Sequence, residues 1–323
     1  MTSEGRFDLI TTGNALVDTV HRVAMLPRCD GSALVLDRRV SAGGVEGNVA
    51  SAAARLGLRV GVIASIGGDP GGDLVLRSFR EHGVDTRHIQ VLPHEETGYS
   101  LVFVDPEGER VIMTGGRGVF GLTLGDAQLA YLRQARVLFA SAYASLPVLR
   151  ALSSVASEPG GPALVFDLPA ELEDLIPRGV DRPDIDALLP HVTLFTANRE
   201  SLRSYTGTDT IADGIEALWR RGVRRGSVSD GKHGLTLFEP DQSGSDARTF
   251  HVPAPRVAVV DTTGAGDVLH AALMTAWLIE GRSMIDAGRF AAAAAALTCQ
   301  GWGVQSALPS RAAAEALARK TID

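Results

Sequence analysis

The chain has 323 residues, 45% hydrophobic and 21% charged, with a net charge of −7. That length can bury a full core, as one large α/β domain or as one domain with an appendage, and the composition is ordinary for a soluble globular protein. The negative charge and the absence of a Lys/Arg cluster argue against nucleic acid or an anionic membrane as a partner.

Taken in order, Phe7–Thr12 reads as a first strand ending at Gly13-Asn14. Asp18 follows, where strand ends in α/β sheets feed a ligand crevice. A polar, strand-like stretch, Ala33–Val40, leads to Gly43-Gly44-Val45-Glu46-Gly47-Asn48. From Asn48 the spacing turns helical, with Val49, Ala52, Ala53 and Leu56 on one face and Gly57 as the stop. Gly43-Gly44 is then either a place for a ligand to approach backbone at a helix start or a flexible loop before Asn48 as N-cap. Val60–Ile66 is a buried-type strand and Gly72–His82 a helix.

Tyr99–Val104 and Arg110–Met113, joined by Asp105-Pro106-Glu107-Gly108, read as a β-hairpin. With Ala33–Val40 it is expected to build a small β-layer outside the main sheet, serving as a flap over a crevice or as an edge extension. Thereafter the elements alternate. Helices are expected over Gly125–Ala135, Leu146–Ala156, Arg199–Tyr205 and Ile211–Arg221. Strands are expected over Val137–Ala140, Ala163–Asp167, Thr193–Thr196, Arg225–Ser229, Leu235–Phe238 and Thr249–Val252. This pattern implies a mostly parallel sheet with helices on both faces. The tail, Met284–Leu297 and Ser310–Lys320, is helical. Its six alanines, Ala291 to Ala296, let a flat ligand or another helix pack close.

The most informative stretch is Val259-Val260-Asp261-Thr262-Thr263-Gly264-Ala265-Gly266-Asp267, expected to run from a strand through a small-residue turn into a helix over Val268–Glu280. Backbone N–H groups at a helix start lack intrahelical partners and sit at the positive end of the macrodipole. Gly264, Ala265 and Gly266 leave such donors open to an anion. Asp267 puts a carboxylate in that anion site, which suits an enzyme taking a proton from a hydroxyl beside a reacting phosphoryl group. The plainer alternative is a turn with Asp267 as a helix-start residue.

Other signals point nowhere. Cys29 and Cys299 lie far apart without metal-ligand spacing, consistent with a reducing compartment and no disulfide framework. The eight histidines form no ligand pair. The first residues do not resemble a signal peptide, and the longest apolar run, Phe290–Leu297, cannot span a bilayer, so a cytoplasmic location is expected. Gly226-x-x-x-x-Gly231-Lys232 imitates a P-loop, but His233 stands where Ser/Thr is needed and Gly226–Ser229 read as strand. There is no G-x-G-x-x-G.

Asp261-Thr262-Thr263-Gly264-Ala265-Gly266-Asp267 resembles the C-terminal signature of the ribokinase-like (PfkB) carbohydrate kinase family, and Gly43-Gly44 to Asn48 with its Ala-rich helix resembles the N-terminal signature. Gly13, Asp18, the hairpin, Asn198 and Ser229-x-Gly231-x-x-Gly234 fall in the family's order, so the resemblance covers essentially the whole chain. It implies one ribokinase-like domain over residues 1–323: an αβα sandwich with a small β-lid, from about 13–44 and 97–113, that often forms a dimer interface. It also implies transfer of the ATP γ-phosphate to an alcohol on a sugar, nucleoside or related molecule, with Mg2+. By the same resemblance, Asp267 is the base, and the N–H groups of Gly264, Ala265 and Gly266 hold the transferring phosphoryl charge. Asp18, Gly43, Gly44 and Asn48 hold substrate. Asn198, Ser229, Gly231 and Gly234 face the nucleotide, and Ala291–Ala296 lie near the adenine. Asp261 and Thr263 match positions that bind a monovalent cation such as K+ in many members.

This chain departs from the pattern at three places. Ser201 replaces the usual Glu of Asn-x-x-Glu, leaving Glu200 one residue early. His270 stands three residues after the base, to touch ligand or to pack. Val45 and Leu16 replace the Lys and Asn of ribose-specific members, so ribose is not the default substrate. Val45, Glu46, Tyr99, Phe103 and Arg110 are the expected specificity determinants. A sugar kinase is the leading reading, with a nucleoside kinase or a non-catalytic binding protein of the same fold as alternatives.

Overall fold

The computed structural model describes residues 6–116, 118 and 121–320. The chain opens with β1 (Phe7–Gly13), turns into β2 (Leu16–Val23), returns as β3 (Val35–Gly43) and enters helix α1 (Val45–Arg55) directly from Gly44. Next come β4 (Val60–Gly67), α2 (Pro70–Glu81), β5 (Gln90–Leu92) and the hairpin β6 (Tyr99–Val104) and β7 (Arg110–Gly115). The middle of the chain holds α3 (Asp126–Leu132), β8 (Ala135–Ser141), α4 (Leu146–Ala156), β9 (Ala163–Leu168), α5 (Leu172–Leu175) and α6 (Arg182–Leu188). It continues through β10 (Leu194–Asn198), α7 (Arg199–Thr206), α8 (Ile211–Arg220), β11 (Gly226–Ser229), β12 (Leu235–Pro240) and β13 (Ala247–Val252). The last helices are α9 (Ala265–Leu273), α10 (Met284–Thr298), α11 (Val304–Ala307) and α12 (Arg311–Lys320).

The large sheet has the order β13-β12-β11-β10-β9-β8-β1-β4-β5. It is parallel from β11 to β5, and β12 and β13 add an antiparallel edge. Strands covered on both faces need apolar side chains on both, and β4 is buried at every residue. Alternation then divides the core: Leu9 and Val62 pack toward α1, α2, α9 and α10, while Ile10 and Ile63 pack toward α3, α4, α6, α7 and α8. Among the described residues no helix is long and apolar enough to cross a membrane.

A second, smaller sheet has the order β3-β2-β6-β7, with β2 and β6 parallel. The hairpin and the 33–40 stretch thus join one layer, as expected. The strand between them, β2, is not apparent from the sequence, because its polar Asp18, Thr19, His21 and Arg22 mask the alternation. At the hairpin turn the Gly108 N–H donates to Asp105 O (3.1 Å), with Gly108 in the left-handed region.

Three other expectations are corrected. Residues 253–260 form no strand ahead of the Asp261–Asp267 turn: Val259 and Val260 are each 62% exposed, and the chain is held by the Val260 N–H bonding Cys299 O (2.8 Å). α1 begins at Val45, so Gly44 and not Asn48 is its N-cap. Beyond Leu273 the α9 rod continues through Met274–Ile279 as a π-type turn. Of the six consecutive alanines of α10 all but Ala295 are buried, and the helix packs against α9 and α12, as the second of their two readings expects. Gly226–Ser229 is strand, so the P-loop imitation fails structurally too.

Candidate active site

β1 sits between β4 and β8, and the chain leaves it toward one side of the sheet first and the other side later. Such a switch point opens a crevice at the carboxyl ends of the strands. Here a buried carboxylate braces it. Glu46 accepts the Asn14 N–H (2.9 Å), the Ser141 N–H (2.7 Å) and the Ser141 hydroxyl (2.6 Å), joining the ends of β1 and β8 to the first turn of α1. Burial raises its pKa, against the pull of those hydrogen bonds. A Cβ at Gly13 would overlap this side chain. Glu46 therefore faces inward and reads no substrate, contrary to its expected role in specificity.

Above this brace lies a cavity of about 600 Å³ walled by Asn14, Asp18, Gly44, Asn48, Gly264 and Asp267, with Asn198 and Glu200 at its far side. Asp18, on β2, accepts a hydrogen bond from Ser100 on β6 and one from the Gly44 N–H. Its carboxylate presses so closely on Gly43 that any Cβ there would overlap it. Gly43 itself does not wall the cavity. Burial pushes the Asp18 pKa up to about 6, the hydrogen bonds opposing and Asp261 adding to the rise.

Small-sheet side chains reach the cavity at alternate positions. Ser100, Val102, Ile112 and Thr114 line it, whereas Tyr99, Phe103 and Arg110 do not. The expected determinants on β6 were thus one residue out of phase, and Val45 alone of the remaining pair lines the wall.

Gly264 enters α9 in the left-handed region (φ 73°), tight against Val304, where a Cβ would overlap that side chain. The turn is stapled by Asp261, which accepts the Thr263 N–H (2.9 Å) and the Gly303 N–H (3.0 Å). Ala265 N–H bonds Thr262 O (3.3 Å) within the turn, so that donor is partly engaged. Asp267 follows in the first helical turn and accepts a 2.8 Å hydrogen bond from Asn48 Nδ2. Asn48 Oδ1 in turn accepts from Gln305 Nε2 (3.0 Å). Burial raises the Asp267 pKa well above its ordinary value; the Asn48 bond opposes this, and Asp167, Asp18 and Glu46 reinforce it by repulsion. A carboxylate so placed has a strong affinity for a proton from any hydroxyl beside it.

The 302–305 segment touches more than Asn48. The Trp302 carbonyl accepts from Arg39 Nη1 on β3 (3.1 Å), and the Arg39 guanidinium lies 4.3 Å over the indole ring. His270, one turn past Asp267, packs in the core with Nε2 3.5 Å from Asp167 Oδ1 and touches no part of the cavity.

The remaining expected residues divide. Asn198 caps α7, its Oδ1 accepting the Ser201 N–H (2.8 Å) and its Nδ2 donating to Pro169 O (3.0 Å), while it also lines the cavity. Ser201 is buried and donates to Leu168 O (2.7 Å), whereas Glu200 lines the cavity with no shift of the helix start. Ser229 stands in register beside Asn198 on the next strand, but it, Gly231 and Gly234 lie outside this cavity. At Gly234 (φ 95°) a Cβ would overlap Val252 O, which is a structural reason for that glycine. Sequence reasoning missed Tyr143, Glu171, Asp174 and Arg178, which line the cavity from the connection after β8 and from α5 and its flanks after β9. Arg178 lies 4.6 Å over the Tyr143 ring and donates to Thr114 of β7 (2.6 Å), tying the small sheet to the large one.

A mostly parallel αβα sandwich, a crevice roofed by a small sheet and a carboxylate at a glycine-rich helix start define a small-molecule kinase. The chain belongs to the pfkB family of carbohydrate kinases, whose profile matches residues 7–311. It is 28% identical over 312 residues to an ATP-dependent ribose-1-phosphate kinase of Halopiger xanaduensis, covering 97% of this chain and 98% of that one. Arabidopsis thaliana ribokinase, solved with ribose and ATP, superposes with a TM-score of 0.79 at 24% identity, covering 97% of this chain and 99% of that one. Burkholderia thailandensis nucleoside kinase with inosine superposes at 0.80 and 19% identity, covering 97% of each chain. At these identities the two structures establish the fold.

Asp18 offers a direct check on this electrostatic arrangement. A folded-state pKa of about 6 against an ordinary 3.8 means that the folded chain holds the proton more tightly, so stability falls as pH rises through that interval. Asp18→Asn removes the titration. Its stability relative to wild type should improve by about 2–3 kcal/mol between about pH 4 and pH 7, read by urea unfolding at each pH. A constant difference would place Asp18 in solvent.

Proposed function

We propose that the protein transfers the γ-phosphate of ATP to a hydroxyl of a sugar or sugar-like molecule, with Asp267 as the base. The observation that carries this is the Asp267 carboxylate, held at the start of α9 by Asn48 and facing a cavity that also contains Asp18. Asp18 and Asn48 offer the acceptor and donor a polyol needs, and the backbone at Gly44 lets it approach, while Gly43 leaves room for the Asp18 carboxylate behind it. The attacking hydroxyl gives its proton to Asp267. Charge on the transferring phosphoryl group is met by the first-turn N–H groups at Gly264, Ala265 and Gly266 and by the α9 dipole. The nucleotide lies on the far side, toward Asn198, Ser229, Gly231 and Gly234. The small sheet closes over the substrate and keeps water from the phosphate.

Magnesium, when bound with ATP, neutralises phosphate charge. Ser201 is turned inward with its hydroxyl engaged by Leu168 O, whereas Glu200 lines the cavity and brings a carboxylate suited to that task. A K+ ion suits the Asp261–Thr263 turn, where Thr263 Oγ1 is buried without a hydrogen-bond partner. A nucleoside acceptor is the second reading, favoured by the apolar and aromatic wall of Leu16, Val102, Ile112 and Tyr143. Exposed apolar residues at both edges of the small sheet, Leu36 on β3 and Met113 on β7, suit a homodimer through that layer.

ADP release across a panel of sugars, sugar phosphates, sugar acids and nucleosides, with Mg2+ and with or without K+, tests the reaction and chooses between acceptors. Asp267→Asn should lower kcat by roughly 10³-fold while ATP binding persists; undiminished turnover in that variant would overturn the assignment. Glu200→Gln should raise the Mg2+ concentration for half-maximal rate several-fold, and an unchanged requirement would move the metal's anchor elsewhere. Sedimentation should give twice the chain mass for wild type and a monomer for Leu36→Lys/Met113→Lys; a monomeric wild type removes the dimer.

A further inference from the structure

Asn48 has one amide and two neighbours that constrain it from opposite ends. Asp267, when ionised, only accepts, so Asn48 must turn Nδ2 toward it (2.8 Å) and Oδ1 away. On that other side stands Gln305, just past the start of α11, whose Nε2 donates to Asn48 Oδ1 at 3.0 Å. Gln305 does not line the cavity, and its Oε1 is buried with no hydrogen-bond partner. A half-satisfied buried amide weakens the fold, so stability alone does not account for it.

We propose that Gln305 is a positioning residue that locks the Asn48 amide in the orientation from which its Nδ2–H holds the Asp267 carboxylate. The inference rests on the reading of Asp267 as the base. Gln305 acts two bonds away from the chemistry, through Asn48, and needs no contact with substrate. Without its donor, Asn48 can rotate and offer Oδ1 to Asp267, which is tolerated only when that carboxyl is protonated. The lock therefore opposes the groups that favour protonation, Asp18 from β2, Glu46 from α1 and Asp167 from β9; Tyr143 after β8 also faces the carboxylate, His270 on α9 stands beside Asp167, and Glu171, Asp174, Arg178 and Glu200 line the same cavity. It keeps the base ionised at a pH where burial among other carboxylates would neutralise it.

The test needs no substrate. Protein labelled with 13C at the aspartate side-chain carboxyls is titrated by NMR, and the Asp267 resonance is the one missing from Asp267→Asn. In Gln305→Leu its midpoint should rise by about one pH unit. In Gln305→Glu, a near-isostere that retains packing, the introduced carboxylate draws Asn48 Nδ2 to itself and the midpoint should rise at least as far. An Asp267 midpoint unchanged in both variants overturns the proposal, whatever their melting temperatures. Where Asp267→Asn stays fully active in the ADP assay, the base assignment fails. Where it is inactive and the Gln305 midpoints do not move, only the Gln305 inference fails.

Discussion

The approach of two helix N-termini sets everything else in the site. α1 and α9 lie against each other in one core cluster, to which both contribute small buried residues: Ala50, Ala52 and Ala53 from one, Ala271 and Ala272 from the other. Alanine-lined contacts let helix axes come as near as about 8 Å. A close approach lets Asn48, in the first turn of one helix, reach Asp267, in the first turn of the other, across 219 residues of sequence. Two positive helix ends then converge on one space, which favours an anion between them.

The same space gathers carboxylates, which costs stability. Asp18, Glu46 and Asp167 are buried around Asp267, and each is held by nearby donors: Ser100 and Gly44 for Asp18, Asn14 and Ser141 for Glu46, Thr196 (2.8 Å) for Asp167. Burial raises the proton affinity of all four. A fold selected for stability alone would fill these positions with apolar side chains. Their presence at one end of the sheet marks where chemistry has been favoured over stability.

Much of the architecture could be read in the sequence, because the rule that sets strand faces also sets residue order. Val60–Ile66 and Ala163–Asp167 are apolar on both faces, and the Asp105–Gly108 turn carries its own chemistry. β2 was invisible because one of its faces roofs a polar cavity, so Asp18 occupies a position where a strand in the core would show Val. The strand expected at Val259-Val260 is absent because β-branched residues there face solvent, a tertiary outcome that propensity does not encode. Glu46 looked like a cavity residue because it follows Gly43-Gly44, but a helix beginning at Val45 swings it inward. Asp18, Asn48 and Asp267 could be singled out from local motifs. Tyr143, Arg178 and Gln305 could not, since they reach the site from loops or short turns with no motif, and only the folded chain brings them near.

Residues 302–305 act at four places at once. The Trp302 carbonyl and ring hold Arg39 of the small sheet, the Gly303 N–H holds Asp261, Val304 fills the space that Gly264 leaves, and Gln305 orients Asn48. Because these are consecutive residues, their spacing acts as a fixed ruler. Exchanging one side chain disturbs one contact, but inserting or deleting a single residue puts all four out of phase. Evolution can therefore tune this segment by substitution but cannot readily change its length, although it is a connection between helices, the kind of place in which chain length usually drifts most freely.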